Sequence, residues 1–184
     1  MSDTSNIVLI GFMGAGKTTV GKALAARLQR DFVDMDVELE ARAGKPIPRV
    51  FAEDGEPVFR RMERDLAVEL SHRSNLVIAA GGGIVLNPDN IRDFSATGRV
   101  ICLKAAPDEI LRRVSDSNHR PLLEQGDKGE RIRNLLQQRQ HFYDAIAIQV
   151  DTTGKAPNEV IANVLAQFPD SKFQIPNKQE NSRK

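Results

Sequence analysis

Residues 11–18 read Gly-Phe-Met-Gly-Ala-Gly-Lys-Thr, a full match to the pattern G-x-x-x-x-G-K-[ST]. That pattern constrains its surroundings as well as itself. It needs a strand leading in and a helix leading out, so that successive backbone N–H groups curl around an anion at the helix N-terminus. Both flanks are present: Ile7-Val8-Leu9-Ile10 suits a strand buried on both faces, and Val20, Leu24 and Leu28 recur at helical spacing after Lys17. The segment predicts a parallel α/β sheet and binding of a nucleoside triphosphate or something closely like one. Gly14, Ala15, Gly16, Lys17, Thr18 and Thr19 are the candidate nucleotide ligands. Lys17 would bridge the outer phosphates and the Thr18 hydroxyl would ligate Mg²⁺. The bland alternative is a glycine-rich turn between strand and helix.

Four further apolar runs read as strands: Asp31–Asp34, Leu76–Ala80, Val100–Leu103 and Ile146–Val150. Helical patterns separate them, and this alternation predicts a parallel sheet covered on both faces. The last helix is expected at about Pro157–Phe168. Residues 1–168 then form one P-loop domain, and the polar residues 169–184 read as a frayed tail.

Composition narrows the class. The chain of 184 residues carries 26 basic and 25 acidic side chains, with no block of like charge to suggest a nucleic-acid partner. Its single cysteine, Cys102, lies in an apolar run and leaves no intrachain disulfide or cysteine metal cluster. The polar, acidic start lacks a secretory leader's basic region, and no stretch approaches a membrane span. A cytoplasmic, monomeric enzyme or binding protein is the expectation.

Ligands of such sheets sit beyond the carboxyl ends of the strands, so the residues there choose the chemistry. Asp34 and Asp36 follow the second strand. One could serve metal and attacking hydroxyl while the other accepts hydrogen bonds from a polyol; alternatively one caps the helix starting near Val37. Gly81-Gly82-Gly83 follows the third strand. Three consecutive glycines cost more entropy than a turn requires, which suits a backbone lying flush against a ligand. Arg60 lies in a helix whose apolar face is Phe59, Met62, Leu66 and Leu70, and Glu63 on that stripe could pair with it. Arg139 shares a helix face with Ile132, Leu135, Leu136, Phe142 and Tyr143, where it needs a protein carboxylate or an anionic substrate. Residues 115–126, with Pro121 and Gly126, read as a mobile lid delivering Arg120 to a transferring phosphoryl group, or else as a surface loop.

Taken in order, G-F-M-G-A-G-K-T, D-x-D at 34–36, G-E-x-x-F-R-x-x-E at 55–63, G-G-G at 81–83, R-P-L-L at 120–123 and R-x-x-x-Y at 139–143 resemble the shikimate kinase family. The resemblance covers about residues 5–168. It implies a nucleoside-monophosphate-kinase-like fold with strand order 2-3-1-4-5. It implies transfer of the ATP γ-phosphoryl group, with Mg²⁺, to the 3-hydroxyl of shikimate on the route to chorismate and the aromatic amino acids. Carried over by motif, it places Asp36, Arg60, Gly82 and Arg139, with the flanking Gly81 and Gly83, at shikimate. Asp34 falls near Mg²⁺ and the reacting hydroxyl, Thr18 on the metal, Arg120 in the lid, and Arg113 with Lys155 and Pro157 around the adenine. Met35 stands where the family more often has a small residue and would point away from its flanking acids in an extended segment. A gluconate-kinase-like enzyme of the same fold is the rival, disfavoured by the paired arginines and G-G-G. A non-catalytic ATP-binding module is disfavoured by the presence of Lys17, Asp34 and Arg120.

Overall fold

The computed structural model describes residues 4–114 and 127–168. The expected lid with Arg120 and the expected tail lie outside them.

Strands β1 (Asn6–Ile10), β2 (Asp31–Asp34), β3 (Leu76–Ala79), β4 (Gly98–Lys104) and β5 (Ile148–Asp151) form one parallel sheet. Its order is β2-β3-β1-β4-β5, as the family resemblance implied. Alternation along each strand divides the apolar residues between two cores. Ile7, Leu9, Val77, Ile101 and Leu103 face α1 (Lys17–Leu28) and α8 (Pro157–Ala166), meeting Val20, Leu24, Val160 and Val164. Val8, Ile10, Ile78 and Cys102 face the opposite layer, where α4 (Glu56–Ser71), α5 (Pro88–Thr97) and α7 (Lys128–Asp144) contribute Leu66, Phe94 and Ile132. With both faces covered, β1 is buried along its whole length. Burial holds the Cys102 thiol up at about 11, so it is a packing residue.

Several boundaries differ from expectation. β4 extends at both ends, and β5 begins at Ile148 because Ile146 closes a turn after α7, its N–H bonding to the Tyr143 carbonyl at 3.1 Å. Helix α8 ends at Ala166 rather than Phe168. Helix α2 (Met35–Ala43) begins two residues earlier than expected, with Asp34 as its cap. Met35 therefore lies in a first helical turn rather than an extended segment, and it is fully buried. Three shorter helices, α3 (Ile47–Glu53), α6 (Pro107–Val114) and a 3₁₀ turn at Ile84–Leu86, complete the described chain.

Strand register aligns the chemistry. Asp34 pairs with Ala79, which pairs with Leu9, so β2, β3 and β1 end at one level. The Asp34–Asp36 segment, the three glycines and the P-loop leave the sheet side by side. No helix among the described residues is long and apolar enough to cross a membrane.

Candidate active site

On the P-loop side the site is mostly backbone. Gly16 caps α1 with φ at 96° and no side-chain cap, so the first-turn N–H groups stay open to an anion. Gly11 enters the loop at φ 139°, and a Cβ there would stand 2.2 Å from the Leu103 carbonyl oxygen, too close for any other residue. Lys17 folds over the loop, its Nζ donating to the carbonyls of Gly11 at 2.9 Å and Phe12 at 3.1 Å. The ammonium thus sits where phosphates would lie.

Beside it, Thr18 Oγ1 donates to Asp34 Oδ2 at 2.7 Å, while Asp34 Oδ1 accepts the Asp36 N–H at 3.1 Å. Capping and function were posed as compatible readings of this pair; Asp34 is the cap through Oδ1, and its Oδ2 lies against Thr18. A hydroxyl and a carboxylate side by side at a helix N-terminus are hard oxygen ligands that suit Mg²⁺, which keeps water and phosphate for its other positions. No group of three or more His, Cys, Asp or Glu residues among those described could cage a metal alone.

Behind the P-loop lies a cavity of about 330 Å³ whose lining includes Ala15, Gly16, Thr19, Arg113, Lys155 and Pro157 among other residues. All six named are sequence candidates for nucleotide contact. Arg113 is held on all sides: Nη1 donates to the Gly14 carbonyl at 3.1 Å and Thr152 Oγ1 at 3.0 Å, Nη2 to the Thr152 carbonyl at 2.7 Å, and Nε to Glu109 at 2.8 Å. Lys155 Nζ donates to the Asp151 carbonyl at 2.8 Å. Neither Thr152 nor Glu109 was given a role in the sequence reading. Thr152 is buried and joins the P-loop to β4 through the carbonyls of Ala15 and Lys104. Its position just after β5 was the available signal. Hydrogen bonds from Arg112, with Arg113 beside it, pull the Glu109 carboxyl down to about 2.

On the other side of the P-loop, charged side chains converge on the three glycines. A Cβ at Gly83 would stand 2.3 Å from Arg60 Nη1, and one at Gly81 would stand 2.9 Å from Asp36 Oδ1 and 3.1 Å from Glu63 Oε1. None of the three glycines has a positive φ. What the missing side chains of Gly81 and Gly83 make room for is therefore the protein's own charges, a cause the sequence reading did not consider. Gly82 rests on the P-loop, its would-be Cβ 3.5 Å from the Met13 nitrogen.

Arg60 Nη1 donates to Glu63 Oε2 at 2.7 Å, as the i,i+3 spacing suggested; its Nε and Nη2 donate to Glu56 Oε1 at 3.1 and 3.0 Å. Three of the five guanidinium N–H groups are thus engaged, leaving one on each terminal nitrogen for an incoming anion. Glu63 is 2% exposed. Desolvation raises its pKa, opposed by Arg60, and it also feels Asp36 and Arg139. Glu63 was expected only as a pairing residue, but it sits at the centre of the cluster. Arg139, from α7, reaches the Gly82 carbonyl at 3.4 Å, and no described carboxylate lies within hydrogen-bonding reach of it. Arg60 and Arg139, on different helices, therefore meet adjacent glycines in one cleft beside the P-loop.

The shikimate kinase family model matches residues 13–169, which hold both halves of this cleft. The chain belongs to the shikimate kinase family. It is 46% identical over 160 residues to the shikimate kinase of Pelotomaculum thermopropionicum, covering 87% of this chain and 93% of that one. Among solved structures, a shikimate kinase from Acinetobacter baumannii in complex with shikimate aligns with TM-score 0.86 at 35% identity, covering 90% and 93% of the two chains. A gluconokinase from Sinorhizobium meliloti 1021 covers 90% and 92% with TM-score 0.57 at 16% identity, a likeness of fold alone.

Proposed function

We infer that this shikimate kinase family member transfers the γ-phosphoryl group of ATP to the 3-hydroxyl of shikimate, giving shikimate 3-phosphate and ADP. The step leads toward chorismate and the aromatic amino acids. The observation that carries the residue assignments is the convergence of Arg60, Arg139, Asp36 and Glu63 on Gly81–Gly83, one strand away from the P-loop. A carboxylate on a ring of hydroxyls calls for guanidinium forks on one side and a hydrogen-bond-accepting acid on the other.

Arg60 and Arg139 would take the shikimate carboxylate. Asp36 and the backbone of Gly81, Gly82 and Gly83 would meet its hydroxyls. Asp34, next to Thr18, orients the attacking hydroxyl in line with the γ-phosphate. Lys17 and the backbone of Gly14, Ala15, Gly16, Thr18 and Thr19 hold the phosphates, and Lys17 steadies the charge that develops on transfer. Arg120, outside the described residues, is assigned to the same charge, and residues 115–126 to a closing lid. Arg113, Lys155 and Pro157 flank the adenine. Mg²⁺, when bound by Thr18 and Asp34, neutralises charge on the β- and γ-phosphates. Catalysis on this reading is positioning and electrostatics, with no covalent intermediate on the protein. This reading keeps the cytoplasmic monomer expected from the sequence.

Calorimetric titration of shikimate tests the acceptor half. Arg60→Lys and Arg139→Lys should each raise its Kd roughly tenfold or more, because an ammonium cannot reproduce the planar fork and a charged hydrogen bond is worth about 1.5–3 kcal/mol. ATP affinity should hardly move. Unchanged shikimate affinity in both variants would contradict the assignment.

A further inference from the structure

Tyr143 played no part in the assignments above, yet it makes the shortest hydrogen bond to the glycine loop. It lies on α7, 3% exposed, with its ring in the main core. Its hydroxyl donates to the Gly82 carbonyl at 2.7 Å. Arg139, one helical turn earlier on the same face, points Nη1 at that same oxygen from 3.4 Å. A phenylalanine would fill the core equally well, so packing does not explain the hydroxyl. Burial holds the phenol pKa up at about 12, which keeps it a neutral donor at any working pH.

We propose that Tyr143 is a positioning residue for the phosphoryl acceptor: by holding the Gly82 carbonyl it frees Arg139 for the acceptor's carboxylate and fixes the loop that both arginines address. This rests on the acceptor reading above. The Gly82 carbonyl has one good donor and one distant one. Without the hydroxyl, the nearest remaining cation, Arg139, would be drawn onto that oxygen and away from an anionic ligand. A trans peptide plane also ties the Gly82 C=O to the Gly83 N–H in the opposite direction. The bond from Tyr143 therefore sets the orientation of the peptide against which the Arg60 guanidinium is packed. On its other side Gly82 rests on the P-loop backbone, so the loop is held between phosphate site and α7.

Tyr143→Phe should raise the shikimate KM about five- to tenfold, leave the ATP KM within about twofold, and leave kcat less affected than the shikimate KM. Combined with Arg139→Lys, the double variant should be little worse than the worse single one, since Tyr143 acts largely through the placing of Arg139. Multiplying effects, or equal rises in both KM values, would mark a merely structural role and overturn the proposal. So would an unchanged shikimate KM in Tyr143→Phe while Arg139→Lys raises it; the acceptor reading would then survive. If Arg139→Lys also changed nothing, the acceptor reading would fall as well. The unmodified protein offers a second readout, because it holds one tyrosine and no tryptophan. Its near-ultraviolet phenol signal reports Tyr143 alone and should shift saturably with shikimate. A signal unmoved by saturating shikimate would also overturn the proposal.

Discussion

The two halves of the cleft solve opposite problems. On the proposed reading the phosphate side would bind an anion with backbone: open N–H groups at the α1 terminus, glycines that let the chain close in, and one lysine folded over the loop. Nearly all of it comes from eight consecutive residues. On the same reading the acceptor side would bind with side chains drawn from α2, α4 and α7, gathered around the glycines that follow β3. Its charges are held by one another, Arg60 on Glu56 and Glu63, around glycines that leave them space. Dipoles of a contiguous loop need no partner when the ligand is gone, whereas a half-buried guanidinium and a buried carboxylate do. The acceptor side carries built-in counter-charges because it must stay folded while unoccupied.

The largest effect that could break this contrast is on turnover. Lys17→Ala should lower kcat by about a hundred- to a thousandfold, the scale for losing one preorganised donor to transition-state charge. Thermal stabilisation by ATP with Mg²⁺ should shrink, while shikimate affinity stays near normal. Near-normal turnover in a folded variant would contradict the phosphate-side assignment. The two acids then divide the halves. Asp34→Asn, which keeps the helix cap, should lower kcat more than it raises any KM. Asp36→Asn should act mainly on the shikimate KM. Steady-state kinetics showing the reverse would mean that their roles are exchanged.

Smaller effects sharpen the comparison through stability. Arg60→Met leaves Glu63 buried without its partner and should cost about 3 kcal/mol in denaturant unfolding. Arg139→Met strands no described carboxylate and should cost under about 1 kcal/mol. Equal costs would mean that Glu63 does not depend on Arg60.

The pH dependence separates the halves again, with the smallest effects. Glu109, at the nucleotide edge, titrates near 2 rather than its ordinary 4.5. The unfolded chain takes up that proton first as pH falls, so the stability Glu109 contributes is present above 4.5 and is lost toward 2. The deficit of Glu109→Gln should therefore fade across that window. Tyr143, on the acceptor side, titrates near 12 rather than 10. Between those values the unfolded chain has lost a proton that the folded one keeps, so stability falls as pH rises. The advantage of wild type over Tyr143→Phe should narrow from pH 10 to 12 in unfolding curves. A constant difference in either window would place the group in an ordinary environment.

This asymmetry also explains what could be read from sequence. The P-loop and its flanking strand and helix were legible because backbone sites leave local signatures, whereas Arg113, Lys155 and Pro157 entered only through the family resemblance. Asp34, Asp36 and the glycines were legible as strand-end residues, and Arg60 and Arg139 as charges on apolar stripes. Glu63 was visible only as a pairing residue, since its central place depends on three elements meeting. Tyr143 was visible only as a core-stripe residue and the last position of the R-x-x-x-Y motif, because an aromatic residue there looks like packing until its hydroxyl is seen on Gly82. The crowding at Gly81 and Gly83 was likewise a property of neighbours far away in the chain.

The most direct test is ADP release in a coupled assay with ATP and Mg²⁺, comparing shikimate with gluconate as acceptor. Both carry a carboxylate and hydroxyls, and the gluconokinase likeness is one of fold alone. Shikimate should support turnover at a kcat/KM at least about a hundredfold above gluconate, equivalent to about 2.7 kcal/mol of transition-state discrimination. Equal or preferential use of gluconate, or ADP release that ignores both, would contradict the assignment of the arginine and glycine cleft to shikimate.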